Sequence, residues 1–379
     1  MVGLVRDAAF ELDADPGVPY TPLLSDFPSW QDRPELLVEQ FSPADRNLRR
    51  YDWYRVVDCL LGVDSEDFRL KQRFRALYAE LLSPCPAPRE ATERLLCRIQ
   101  VRDGLPVHLV SFTAPSEIAI IDFILALFPG RGYVEIEGPA AGWRSIGLAG
   151  KNSPLLTARG SEVLVDAREE WQPLIANCAV NWVMQMQPGL LFFHAAAVAI
   201  QGEGILLVGE KGAGKSTLSL ALAAHGHDFF GDEIAAVRTK GFELAPFRRA
   251  LSVRTGPQAP QVEERLRSNC CAIETFPDGT VRSRSTANEL FPEAGARPRP
   301  LRRVFFLRAF EKQPRYESFR PRSEDLRLLA PLACTFWGSS SAARVTQVAK
   351  LLSSVECYFL YPGQPEDTAN LIERIVRSE

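Results

Sequence analysis

The stretch Gly209-Glu210-Lys211-Gly212-Ala213-Gly214-Lys215-Ser216-Thr217 sets a glycine, four residues, then Gly-Lys-Ser-Thr. That spacing defines a P-loop, whose glycines let successive backbone N–H groups turn toward a phosphate chain. Residues Gly209 to Thr217 would cradle the phosphates of ATP. Lys215, with Lys211 nearby, would neutralise the β- and γ-phosphates, and the Ser216 hydroxyl would ligate Mg²⁺. Seventeen positions after Lys215 stands Asp232-Glu233, at the end of a short apolar run. A carboxylate so placed can hold Mg²⁺ directly or through water, as in a Walker B site. The metal set read from the sequence is Ser216, Asp232 and Glu233. His194 lies on an apolar run ahead of the loop. Such a histidine reads either as a satisfied core residue or as a group beside the phosphates.

These groups need a strand, a loop and a helix to hold them. Gly204-Ile-Leu-Leu-Val208 is the β-run entering the loop, and Leu218, Leu220, Ala221 and Leu222 give the helical pattern leaving it. The helix N-terminus adds its partial positive charge where the phosphates would sit. Leu190 to Ile200 is a second apolar run, joined to the first by Gln201-Gly-Glu-Gly204. So short a turn predicts a β-hairpin, which puts an antiparallel neighbour beside the entering strand and His194 near the loop. Asp228-Phe-Phe230 predicts a short strand into the acidic pair, and Ile234 to Val237 another strand beyond it.

The rest of the chain divides by its prolines and periodicity. Residues 1–88 read as a Pro-, Asp- and aromatic-rich arm, with a short helix near Tyr51 to Leu61 and another over Asp67 to Leu82. Residues 89–168 read as a small α+β domain. Its strands fall at 94–101, 107–113, 133–136 and 163–165, with a helix over 117–128. Residues 169–379 read as the nucleotide-binding domain, opened by an amphipathic helix over Glu169 to Gln187. After the acidic pair, 244–254 is extended and 301–308 is a strand. Helices over 325–331 and 341–353, a strand over 355–361 and a closing helix over 366–377 follow.

A chain of 379 residues, 46% hydrophobic and 24% charged, is globular and long enough for two or three domains. Its formal net charge of −3 supplies no general attraction to nucleic acid or anionic membrane. The arginines at 297–303 and 315–327 favour a nucleic-acid reading locally, but no aromatic residues interleave them into a binding face. No apolar run reaches spanning length and the N-terminus lacks signal-peptide order, so a cytoplasmic protein is expected. The eight cysteines form no Cys-x-x-Cys pair and none has a histidine at ligand spacing, which predicts reduced thiols and no zinc framework.

Taken together, Phe193-His-Ala-Ala-Ala-Val-Ala-Ile200, the glycine turn, the Gly204 to Thr217 run, His227 and Gly231-Asp-Glu233 resemble the HPr kinase/phosphorylase family. Pro246-Phe-Arg-Arg-Ala-Leu-Ser-Val-Arg254 and Leu301-Arg-Arg-Val-Phe-Phe-Leu307 look like HPr-kinase-related serine kinases of bacterial biosynthetic clusters. The resemblance implies an α/β fold with α+β character. Its P-loop kinase core would be of the HPr kinase and phosphoenolpyruvate carboxykinase type, with a mixed sheet behind a smaller α+β N-terminal region. The implied activity is ATP- and Mg²⁺-dependent phosphotransfer to a hydroxyl, with a serine of a peptide or small protein as acceptor. Asp232 would be the general base, and Glu233 would orient His194 or hold Mg²⁺ through water. Arg248, Arg249 and Arg254 are candidate charge clamps, Arg254 standing where related kinases often show Lys. True HPr kinases form hexamers, so the resemblance also admits a homo-oligomer. The chain departs from the family at Thr217, where HPr kinases have Glu, and at Glu233, where they have a second Asp. It also shows no convincing second signature of the kind that serves dephosphorylation. Two rivals keep the fold: a small-molecule hydroxyl kinase, and a non-catalytic nucleotide sensor or partner-binding protein.

Overall fold

The computed structural model describes residues 48–86, 94–101, 107–112, 133–137, 142–148, 154–159, 162–166, 172–210, 212–255, 272–275, 281–322 and 342–378. The expected arm before residue 48 and the helices expected at 117–128 and 325–331 lie outside these residues. Contacts divide the chain into two units, the first comprising Met1–Leu77, Leu82–Met186 and Thr275–Val281, the second Tyr78–Leu81, Gln187–Glu274 and Arg282–Glu379. No helix among the described residues is long and apolar enough to cross a membrane.

In the first unit the strands are β1 (Asp52–Val56), β2 (Cys59–Ser65), β3 (Leu82–Ser83), β4 (Arg94–Val101), β5 (Val107–Phe112), β6 (Tyr133–Glu137), β7 (Arg144–Leu148), β8 (Pro154–Arg159) and β9 (Glu162–Asp166). They form one sheet in the order β3-β1-β2-β4-β5-β9-β8-β7-β6. The helix expected near Tyr51 to Leu61 is instead the hairpin β1/β2, paired from Asp52↔Val63 to Val56↔Cys59. Trp53, Tyr54 and Val56 favour a pleated, half-buried surface, and that preference outweighs the apolar spacing that suggested a helix. Trp53 packs across Gly62, where an added Cβ would stand 2.9 Å from the indole ring. Helices α1 (Phe68–Leu77) and α2 (Gln172–Gln185) pack together, α1 on β2 and α2 on β1, β2 and β4. The sequence grouped α2 with the nucleotide region, and its packing places it in the first unit.

The second unit is built on a mixed sheet in the order β10-β14-β15-β19-β12-β11-β13. Its strands are β10 (Leu190–Phe193), β11 (Ala196–Ile200), β12 (Glu203–Val208), β13 (Asp228–Gly231), β14 (Ala235–Arg238), β15 (Glu243–Ala245) and β19 (Arg299–Leu307). Strands β16 (Leu251–Thr255), β17 (Ala272–Thr275) and β18 (Val281–Ser285) form a separate three-stranded sheet. Beyond β19 lie β20 (Arg315–Phe319) and β21 (Glu356–Tyr361), with β21 parallel to β19 and antiparallel to β20. The expected hairpin is present: β11 and β12 pair antiparallel from Ile200↔Glu203 to Ala196↔Leu207 around Gln201-Gly202. On its other edge β12 runs parallel to β19.

Helices α3 (Lys215–Ala224), α4 (Ala287–Leu290), α5 (Ala342–Ser354) and α6 (Pro365–Arg377) complete the unit. Successive residues of β11 and β12 point to opposite faces, and both faces are covered. Ala196, Val198, Ile205 and Leu207 join Leu218 and Leu222 of α3 and Ile372 of α6 in one core. Ala197, Ala199, Leu206 and Val208 join Val348 and Leu351 of α5 in the other. Burial on both sides explains why these strands read as continuous apolar runs. Helix α3, ten residues long, is too short to persist alone. Buried Leu218 and Leu222, worth roughly 1.5–3 kcal/mol each, hold it on the sheet.

Candidate active site

The loop between β12 and α3 carries the glycine-rich motif. Gly214 is the N-cap of α3 with φ of 92° and Gly212 has φ of 83°, both in the left-handed region that glycine enters without a Cβ penalty. The first backbone N–H groups of α3 have no acceptor within the helix, so this end suits an anion. Lys215 turns back along the loop: its Nζ donates to the carbonyl of Gly209 at 2.8 Å and of Glu210 at 3.1 Å. Burial pulls the Lys215 ammonium below the usual lysine range, opposed by the negative charges of Asp232 and Glu233. Ser216 and Thr217 are exposed on the first turn of α3, and Glu210 is exposed in the loop. Lys211 lies outside the described residues.

Topology brings the other groups to the same place. Phe193 at the end of β10 pairs with Ala235 of β14, while Ala197 of β11 pairs with Gly231 at the end of β13. His194-Ala195 and Asp232-Glu233-Ile234 are therefore two interruptions facing each other across one register. Ala196, beside them, pairs with Leu207, two residues before Gly209. His194 and Ala213 to Lys215 are partly or fully buried around this crossing. Gly231 is a close approach: an added Cβ would stand 3.0 Å from the carbonyl oxygens of both Ile234 and Phe247.

The Ser216 hydroxyl lies beside the Asp232 carboxylate and helps to hold it ionised, which brings the loop next to the acidic pair. Burial, then the charge of Glu233, pushes the Asp232 carboxyl up to about 6, opposed by the nearby Ser216 hydroxyl, the charge of Arg249 and the local backbone. A hydroxyl and two carboxylates, one of them short of positive charge, are the hard oxygen donors that Mg²⁺ takes. Glu233 accepts from Arg249 Nη1 at 3.0 Å. The Arg249 guanidinium in turn lies over the Tyr78 ring, 5.5 Å from its centroid.

Arg248 is not a charge clamp. It is buried, and its Nε donates to the Phe229 carbonyl at 2.6 Å while Nη2 donates to the Ala294 and Gly295 carbonyls. Its Nη1 donates to Asn288 Oδ1 at 2.9 Å and pairs with Glu80 at 3.3 Å. Adjacent residues of an extended chain point opposite ways, so Arg248 braces loop carbonyls while Arg249 reaches the acidic pair. The backbone of Arg254 lies in β16, and its side chain is outside the described residues.

Three residues at or beside the site carried no recognised signal in the sequence. Tyr78 and Glu80 sit in a short segment that the chain contributes to the second unit far ahead of the loop. Phe310, 60% exposed, places its Cζ 3.2 Å from where a Cβ on Gly214 would stand. Only the apolar run of β19 directs attention to Phe310, since it is the first aromatic after that strand. Among the described residues, three arginines of the arginine-rich stretches are held in ion pairs. Arg299 bridges Asp228 at 2.9 Å, Arg303 bridges Glu356 at 2.9 Å and also Glu203, and Arg315 bridges Glu311 at 2.9 Å and also Glu317.

Comparison with known proteins points the same way as the motif. An HPr kinase/phosphorylase of Lactobacillus delbrueckii subsp. bulgaricus is 34% identical over 107 residues, which cover 24% of this chain and 34% of that protein. One of Chlorobium phaeovibrioides is 39% identical over 49 residues, covering 13% of this chain and 15% of that protein. In these stretches the chain is HPr kinase/phosphorylase-like. It spans about a third of the length of the first relative and less of the second. The HPr(Ser) kinase/phosphatase structure from Coxiella burnetii aligns with 49% of this chain and 88% of its own, at 19% identity and a TM-score of 0.26. No protein-family model matches the chain.

Proposed function

We propose that the chain is an ATP-dependent phosphotransferase that moves the γ-phosphate to a hydroxyl, with a seryl side chain of a peptide or small protein as acceptor. The observation that carries this reading is the back-folded Lys215 within reach of the charges of Asp232 and Glu233, with the Ser216 hydroxyl beside Asp232. A P-loop hydroxyl and a nearby carboxylate are the pair needed to hold a nucleotide's Mg²⁺. The sequence similarity to HPr kinase/phosphorylases supports a protein acceptor rather than a metabolite.

Phosphoryl transfer needs positioning and charge neutralisation more than covalent chemistry. The loop N–H groups and the N-terminus of α3 would cradle the phosphates. Lys215, now held by two carbonyls, is placed to exchange them for phosphate oxygens. Ser216, Asp232 and Glu233 would hold Mg²⁺, which when bound supplies charge neutralisation on the β- and γ-phosphates. Asp232 would take the proton of the acceptor hydroxyl as its oxygen attacks phosphorus. Arg249 would keep Glu233 in place and lend positive charge to the leaving side. His194 sits at the register opposite the acidic pair, where it would border the acceptor.

The test is transfer of label from γ-labelled ATP to candidate peptides, with the product located by mass spectrometry. Label on peptide serine that disappears with Asp232→Asn supports the reading. Label on a small molecule moves the acceptor to a metabolite, and nucleotide binding without transfer makes the protein a sensor.

A further inference from the structure

His225, His227 and Glu373 bring three metal-ligating atoms within 4.8 Å of one another at the far end of α3 from the glycine-rich loop. His225 Nδ1 lies 2.6 Å and His227 Nε2 2.9 Å from the same oxygen, Glu373 Oε1. We propose that these three side chains form a binding site for a divalent transition metal, with zinc as the best chemical match. The inference is independent of the phosphotransfer reading.

The surroundings of the cluster fit ligation. A ligating histidine ordinarily donates its other ring N–H to a carboxylate, which fixes the tautomer and raises the ligand's basicity. His225 Nε2 has that partner in Glu366 Oε1 at 2.8 Å. Glu373 Oε2 is occupied by Arg377 Nη2 at 2.8 Å, which leaves Oε1 as the ligating oxygen. The backbone is anchored as well: the His225 N–H donates to the Ala221 carbonyl at 3.2 Å, and the His227 N–H to the Leu222 carbonyl at 3.3 Å. Both histidines are partly buried, with side chains 20% and 16% exposed, so a cation has an entry path and a water can take the fourth position.

Two imidazole nitrogens with one carboxylate oxygen make a borderline donor set that suits Zn²⁺ and disfavours Mg²⁺. Ligand atoms at Zn–N and Zn–O lengths of about 2.0–2.1 Å stand further apart than hydrogen-bonded ones, so the triangle must open by about 0.5 Å. Small rotations of Glu373 and of the two rings supply that. No cysteine takes part, and Glu373 lies 146 residues after His227. A search for Cys-x-x-Cys spacing therefore passes over the site. A bound ion would tie the end of α3 and the entry to β13 to α6. Those two elements carry Lys215 at one end and lead to Asp232 at the other.

The test uses the full chain, purified without a histidine tag and stripped with chelator, with Zn²⁺ alone as probe. One Zn²⁺ per chain by equilibrium dialysis and a raised unfolding temperature are expected. Cobalt(II) in its place should show d–d bands without thiolate charge transfer, which separates this site from the cysteines. His227→Gln and Glu373→Gln should abolish uptake. Glu366→Gln, at a residue whose side chain is exposed and does not ligate, should weaken it roughly 10- to 100-fold while leaving the fold intact. No uptake by the wild-type chain, or uptake unchanged in both His227→Gln and Glu366→Gln, overturns the proposal and leaves a hydrogen-bonded tie only.

Discussion

Arg249 Nη1 lies 3.0 Å from Glu233 Oε2, while Arg248, the preceding residue, turns away into a nest of carbonyls. Two chemically identical neighbours thus serve opposite ends. Arg248→Met leaves the Phe229, Ala294 and Gly295 carbonyls without their buried donor, and should cost about 2–4 kcal/mol in chemical denaturation. Arg249→Met should cost less stability but lower phosphotransfer by one to two orders of magnitude, roughly 1.4 kcal/mol of transition-state stabilisation for each tenfold. Equal losses of stability in the two variants would sink this division of roles.

The places of the loop and the acidic pair in the fold were legible in the sequence because backbone geometry ties position to spacing there. Glycines at fixed offsets must precede Lys215, and Asp232-Glu233 must follow the next short strand. The hairpin β11/β12 was legible for the same reason, since Gln201-Gly202 leaves no room for another connection. Arg248 and Arg249 were not separable: their roles depend on which way each points, and the carbonyls around Arg248 come from two distant segments. Tyr78 and Glu80 were invisible because the chain brings them to the second unit through a four-residue excursion. The β1/β2 hairpin was misread as a helix because buried strands with mixed aromatics carry no clean alternation.

Gly231→Ala tests how closely the acidic pair is placed. A Cβ there would stand 3.0 Å from two backbone carbonyl oxygens, neither of which can swing aside as a side chain would. The Asp232 peptide should shift by several tenths of an ångström. Because a 1 Å error in positioning can cost about 100-fold in rate, transfer should fall at least tenfold. Nucleotide binding, carried mainly by the loop on the other strand, should change much less. A variant with full turnover would show that the position of Asp232 is not critical.

Phe310→Ala tests the exposed ring over Gly214. An aromatic of this size left 60% exposed gains burial if a nucleotide packs against it. Removing it should weaken ATP binding by roughly three- to thirtyfold, the equivalent of about 1–2 kcal/mol, with little effect on unfolding temperature. Isothermal titration with ATP and Mg²⁺ measures this directly. An unchanged affinity would place the nucleotide away from Phe310.

Asp232 gives a pH test of the site with a definite sign. Its carboxyl sits at about 6 in the folded chain, against about 3.9 for an unfolded aspartate. The folded protein therefore holds this proton to higher pH than the unfolded one. The favourable contribution is complete below about pH 4 and is lost as pH rises through about 6. At about 1.4 kcal/mol per unit, and allowing for partial solvent access, the charged site costs about 2 kcal/mol at neutral pH. Asp232→Asn removes the charge while retaining an oxygen for the Ser216 hydroxyl. It should exceed the wild type in chemical stability at pH 7.5 by about that amount, and the gap should close near pH 4. A gap that does not vary with pH would mean that burial does not raise this carboxyl. Addition of ATP with Mg²⁺ should reverse the order at pH 7.5, because only the wild type can hold the metal with a carboxylate at this position. The variant should therefore be the more stable protein and the inactive one, with the cost of the buried charge offset only when the nucleotide's metal is bound.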